Sequence, residues 1–143
     1  MMSDYGLVCK EYFRALKNGA LIGSRCNDCG SHFLPQRRIC PRCHSEKCKV
    51  ISFSGKGELV AYTVIFVPPM MMAVEGYSAK NPYCVGIVEL EEGPRIAAQI
   101  LDIDVKHPEK ILIGTKLLLK SITRGKGTGQ ETFPAFQATH TMA

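Results

Sequence analysis

Tryptophan is absent from the 143 residues, and aromatic side chains make up only 8% of them. A protein that holds single-stranded nucleic acid by stacking bases on rings has few platforms to work with here. Long apolar runs are missing too, since none approaches the roughly 18 residues of a membrane span. The leading stretch MMSDYGLVCKEYFRALKNG is broken by charge and contains no apolar core of secretory length. Export is not expected and a cytoplasmic location is, so the seven cysteines read as reduced thiols or metal ligands rather than a disulfide framework. The Walker A spacing G-x-x-x-x-G-K-[ST] is also missing.

Four of the cysteines form two matched pairs, Cys26 and Cys29 in CNDCG and Cys40 and Cys43 in CPRCH. Each pair sits on a tight turn, with Gly30 after the first and Pro41 inside the second, so the two knuckles can face each other and close four thiolates around Zn2+. A closed shell leaves no position for water or substrate, which makes the expected zinc structural. His44 and Cys48 lie close enough to be substitute ligands, although either would break the symmetry of the knuckles. CPRCH also satisfies C-x-x-C-H, the c-type haem pattern, and one C-x-x-C alone suits a redox dithiol. Haem attachment needs export, and a thioredoxin-like motif should lie between a strand and a long helix. Gly, Pro and Arg crowd both knuckles instead.

The net charge of +5 is concentrated. Residues 25–49 hold Arg25, Arg37, Arg38, Arg42, Lys47 and Lys49 against Asp28 and Glu46, a balance of +4. The long segment after them is nearly neutral. Four thiolates with one Zn2+ offset part of the excess, so the patch suits a phosphate-bearing ligand or an acidic partner as well as RNA.

Apolar residues from Leu7 to Lys17 (Val8, Tyr12, Ala15 and Leu16, with Cys9 and Phe13 alongside) form one helical stripe, and Asn18-Gly19 is its stop. Strands are expected at Ala20–Ser24 and His32–Pro35 around the knuckles. Further strands fit Glu58–Val67, Tyr83–Leu90, Arg95–Leu101 and Lys116–Ile122, with another at Val50–Ser54. Gly55-Lys56-Gly57 and Glu91-Glu92-Gly93-Pro94 are turn chemistry. The fold expected is mainly β: an N-terminal helical segment (1–19), a rubredoxin-like zinc ribbon (20–49), and a small, partly open antiparallel barrel of OB-fold type (50–143).

Two loops stand apart. Pro68–Pro82 carries Met70, Met71, Met72 and Tyr77, and it either offers adaptable apolar contact to a partner or acyl chain or folds back over the barrel end. Thr123–Thr132, with Arg124 and Lys126 among three glycines, reads as a mobile hairpin or as a phosphate cradle. The apolar tail Phe133–Ala143 suggests an edge strand or a docking segment.

The order of these parts resembles a known family along nearly the whole chain: the acyl-CoA-associated zinc-ribbon and OB-fold proteins, small accessory subunits of thiolases and thiolase-like synthases. The likeness rests on Tyr12-Phe13, Gly19-Ala20-Leu21, the segment from Arg25-Cys26 to Cys29-Gly30, PQRRICPRCHS from Pro35 to Ser45, and Ser54-Gly55-Lys56-Gly57-Glu58-Leu59. Asn81-Pro82-Tyr83 before VGIVEL, Glu91-Glu92-Gly93, Ile113-Gly114 and Pro134-Ala135-Phe136 complete it.

That resemblance implies a non-catalytic companion that docks on a thiolase-type acyltransferase, forming a hetero-oligomer, and helps bind or pass acyl-CoA. The residues agree, because thiolysis needs a cysteine activated by histidine, and the sequence identifies none of His32, His44, His107 or His140 as a partner for Cys84. The Met-rich loop would supply docking or acyl contact. Arg37, Arg38, Lys56, Arg124 and Lys126 are candidates for CoA phosphates or for the partner's acidic surface. Two rival classes are a nucleic-acid module, disfavoured by the near-neutral barrel, and a small acyl-CoA hydrolase using Cys84.

Overall fold

The computed structural model describes residues 2–125, 127 and 130–139, with side-chain surroundings from Lys10 onward; Lys126, His140 and the side chains of Val8 and Cys9 lie outside the described residues. The chain opens with helix α1 (Met2–Lys17). It ends where Gly19 takes a φ of 79°, a left-handed conformation that glycine adopts without strain. The Ala20 amide then donates to Ala15 (2.8 Å) and the Gly19 amide to Leu16 (3.0 Å), the paired bonds of a glycine C-cap.

The knuckle region is a three-stranded antiparallel sheet of β1 (Leu21–Cys26), β2 (His32–Phe33) and β3 (Cys48–Phe53), in the order β2-β1-β3. The strand expected from Val50 starts earlier, at Cys48, and pairs with β1 along its full length, from Leu21 opposite Phe53 to Cys26 opposite Cys48. Gly23 is where the neighbours of this sheet crowd its central strand. A Cβ there would lie 2.2 Å from Phe53 Cε2 and 2.4 Å from the Phe33 carbonyl oxygen, so no larger residue fits.

The rest of the chain builds a barrel. Its elements are β4 (Lys56–Ile65), α2 (Met70–Ala73), β5 (Tyr83–Leu90), β6 (Arg95–Leu101), a 3-10 turn (Pro108–Lys110), β7 (Lys116–Leu119), β8 (Ile122–Arg124), β9 (Glu131–Phe133) and β10 (Ala135–Ala138). The strand order β10-β6-β5-β4-β7 closes fully, which leaves no unpaired edge between these five strands. The OB-type barrel is therefore present and closed rather than partly open, and one pairing, β6 with β10, is parallel.

Two expectations change. The run Lys116–Ile122 divides, because the Lys120 amide turns to the Ala135 carbonyl (2.8 Å) and β8 begins a separate hairpin with β9. The tail is neither an edge strand nor a docking arm over Ala135–Ala138: β10 lies between β6 and β7 and completes the wall. Its apolar character follows from that position, since Phe136 is fully buried.

One core unites the parts. Leu16 of α1, Leu21 and Phe53 of the ribbon sheet, and Leu59, Cys84, Val88, Ile100, Leu117 and Phe136 of the barrel form a single buried cluster. Polar ties flank it, with Ser121 Oγ donating to the Leu16 carbonyl (2.8 Å) and the Ser54 amide donating to the Glu92 carboxylate (2.7 Å). Phe13 does not join the stripe expected of it. It is 46% exposed and stands outside the buried cluster that holds Leu16.

Candidate functional site

The two C-x-x-C turns are built on one repeated set of backbone bonds. In the first, the Cys26 amide donates to Ser31 and the Gly30 amide to Cys26, both at 2.9 Å; in the second, the Cys40 amide donates to Ser45 and the His44 amide to Cys40, both at 2.9 Å. The Cys29 and Cys43 amides each point at the first sulfur of their own pair at 3.5 Å, and the Arg42 amide approaches Cys40 Sγ at 3.4 Å. Ser45 Oγ donates across to the Asp28 carboxylate and links the two knuckles.

The sulfurs converge as a result. Cys26 and Cys43 Sγ are 3.5 Å apart, Cys29 and Cys40 Sγ 3.6 Å, and all four lie within 4.8 Å of one another. Zn–S bonds of about 2.3 Å set tetrahedral ligand separations of about 3.8 Å, so the donor set is close to the arrangement that Zn2+ requires. Among the described residues this is the one cluster with metal-ligating geometry, and it contains neither His44 nor Cys48.

The electrostatics favour a cation at its centre. Hydrogen bonds from the Ser31 hydroxyl and amide hold Cys29 down at about 6. The Ser45 amide pulls Cys43 down as well, but its contacts with Cys26, burial and the other two sulfurs outweigh that and push it up to about 12. Four thiols this close cannot all ionise unaided, and a divalent ion removes the conflict. Cys48 packs beside the cluster with its thiol raised by burial and by the charges of Cys26 and Cys40. It keeps its proton and donates to the Ser45 carbonyl (3.7 Å).

On the barrel, the methionine loop divides between the two roles that its sequence left open. Met72 is buried and anchors α2, whereas Met70 (83% exposed) and Met71 (62%) face outward with Phe66, Val67 and Val74. Tyr77 is tied inward. Its hydroxyl accepts from Gln99 Nε2 (2.9 Å), its ring lies 4.9 Å from that of Tyr83, and Gln99 Oε1 in turn accepts from Arg124 Nη2. The Arg124 guanidinium also covers the Phe133 ring at 5.0 Å, and the Gly125 amide donates to Glu75 (3.2 Å). The structure thus joins the two loops that the sequence singled out separately, through a buried glutamine that no sequence signal marked.

The remaining basic candidates are dispersed. Arg37 and Arg38 line a small cleft that also holds Glu11 and Glu46. Lys56 opens β4 opposite Leu118, and Lys126 lies outside the described residues. Cys84 sits fully buried on β5 with its thiol pushed up to about 11 by burial, the reverse of an activated nucleophile.

Residues 13–47 match the rubredoxin-like zinc ribbon domain of ChsH2, and residues 51–119 match the ChsH2 C-terminal OB-fold domain. A DUF35 domain-containing scaffold protein of Methanocaldococcus jannaschii is 36% identical over 112 residues, covering 78% of this chain and 74% of that protein. The benzoylsuccinyl-CoA thiolase subunit BbsA of Thauera aromatica is 34% identical over 80 residues, 56% of this chain and 51% of BbsA. Among solved structures, a chain of the Ltp2-ChsH2(DUF35) aldolase superposes with a TM-score of 0.69 at 29% identity, covering 90% of this chain and 92% of that one.

Proposed function

The chain belongs to the ChsH2-type DUF35 family of zinc-ribbon and OB-fold proteins, and from that premise we propose that it is a non-catalytic accessory subunit of a thiolase-type acyl-CoA acyltransferase. In this reading it works in the cytoplasm, docks on the catalytic chain and helps to bind or pass acyl-CoA. The observation that carries it is the exposed apolar surface around α2, where Val67, Met70 and Val74 are 86%, 83% and 78% exposed beside Met71 and Phe66. Contiguous apolar surface of this kind on a small protein marks a contact site, and methionine adapts to an irregular partner or an acyl chain.

Met72 and the Tyr77–Gln99–Arg124 chain fix the base of that surface, so the outward methionines are presented from a held platform rather than a free loop. The zinc knuckles serve structure. Their four sulfurs complete the ion's shell and leave no coordination site for substrate. Buried, protonated Cys84 supports a nucleophile residing in the partner, and with it the dependence of turnover on two chains.

The test is co-purification with a thiolase-like chain from native extract, followed by a CoA-thiolysis assay with and without this protein. The expected result is a stoichiometric partner whose activity requires this chain, with binding lost in the folded double variant Met70→Glu/Met71→Glu. Recovery of nucleic acid with no such partner, or thiolysis indifferent to this chain, would overturn the reading.

A further inference from the structure

Beside α1 lies a groove of about 510 Å³ that the zinc knuckles and the methionine surface do not touch. Lys10, Phe13, Arg14 and Lys17 form one wall and Gln130, Glu131 and Thr132 the other. The first four residues follow the spacing i, i+3, i+4, i+7, so one helix face presents three cations and a ring together. Leu16, on the flank beside Phe13, is carried into the core. No ion pair between described residues engages Lys10, Arg14 or Lys17.

Helix-end electrostatics account for part of this arrangement, because Arg14 and Lys17 sit in the last turn where cations offset the macrodipole. They do not account for Phe13. Tyr12 meets that ring edge to face, with centroids 5.4 Å apart and planes at 81°, and 46% of Phe13 is left in solvent at the groove. Nor do they account for the far wall, where Gln130 offers an amide and Glu131 a carboxylate across from the cations.

Each wall selects part of a ligand. Three cations call for phosphate, the exposed ring for a flat heterocycle, and the acidic and amide groups opposite for sugar hydroxyls or an exocyclic amine. Inorganic phosphate would use only the first wall, and Glu131 would repel it. The volume falls in the range of about 300 to 1,000 Å³ typical of small-molecule sites.

We infer that the groove between α1 and β9 binds a nucleoside phosphate, with Lys10, Arg14 and Lys17 on the phosphates and Phe13 against the base. A free nucleotide and the nucleotide end of CoA share this chemistry. The CoA form would deepen the accessory-subunit reading, but the site itself stands on this chain alone.

Calorimetric titration of the zinc-loaded full chain with ADP, CoA, pantetheine and inorganic phosphate tests it. ADP and CoA should bind, with affinity falling as salt rises. Arg14→Glu/Lys17→Glu should weaken both at least tenfold, and Phe13→Ala should weaken them several-fold, while Lys110→Glu, a charge reversal on the distant 3-10 turn, leaves them unchanged. ADP equal to CoA would identify a free nucleotide as sufficient; CoA binding more tightly than both ADP and pantetheine would identify the CoA end. Binding of pantetheine but not ADP, absence of nucleotide binding at millimolar concentration, or indifference to the Arg14 and Lys17 reversals would overturn the inference. No partner protein enters the measurement, so failure of thiolase docking leaves its result intact.

Discussion

His44 holds in the second knuckle the left-handed backbone position that Gly30 holds in the first, with φ of 63° against 76°. Both amides then donate to the first cysteine of their own pair at 2.9 Å, so the residue after the second cysteine serves the turn and not the metal.

His44→Gly should therefore retain zinc and gain up to about 1 kcal/mol, the order of the strain a side chain suffers in this conformation. Thermal unfolding and zinc stoichiometry check it. Loss of the metal would instead make the imidazole a ligand.

Removing the metal should have the opposite effect. Cys26→Ser, or chelation of the wild type, is expected to unfold the ribbon, since structural zinc contributes about 10 to 16 kcal/mol in small peptides, against roughly 5 to 15 kcal/mol of net stability for a whole domain. Hydrogen exchange should rise across 21–53 first. Acid acts in the same direction, because protons compete with zinc for the sulfurs as pH falls. A Cys26→Ser variant with native exchange rates and no bound zinc would exclude the structural role.

Burial raises the Cys84 thiol from 9.0 to about 11, so the folded chain favours its neutral form. The corresponding stability is fully present below pH 9 and is lost as pH rises through about 11. Melting curves from pH 8 to 11 should fall more steeply for wild type than for Cys84→Ala, and iodoacetamide at pH 8 should leave Cys84 unmodified in the native state.

Phe136→Ala should cost about 3 to 5 kcal/mol in urea unfolding, the usual loss for a buried phenylalanine. A tail that merely docked elsewhere would show less than about 1 kcal/mol, as surface changes do.

Arg124→Ala should cost about 1 to 3 kcal/mol by leaving the buried Gln99 Oε1 without its donor. Tyr77→Phe acts on the other end of the same amide. A double-mutant cycle between them should show coupling of at least about 0.5 kcal/mol, whereas strict additivity would mean that the two loops are independent.

Local chemistry made much of this legible in advance. The strands Tyr83–Leu90 and Arg95–Leu101 coincide with apolar, β-branched runs between turn residues, and the helix stops at Asn18-Gly19 because only glycine takes the required φ cheaply. Gln99 escaped notice because one glutamine in an apolar strand has no local signature. Its role exists only once Tyr77 and Arg124 arrive from either side. Phe13 was misassigned for a related reason: helical periodicity groups residues on a face, and the neighbouring sheet decides which part of that face is covered.

By itself, then, the sequence determined the four-sulfur site, whose ligands lie within two short turns and need only spacing and backbone chemistry to converge. It also determined the β character of the remainder through runs that satisfy their own propensities. Tertiary structure decided what those runs become. Closure by Phe136 between β6 and β7, the joining of the methionine loop to the Arg124 hairpin, and the groove against α1 all depend on pairings between distant segments, where burial energy and not local preference selects the partner.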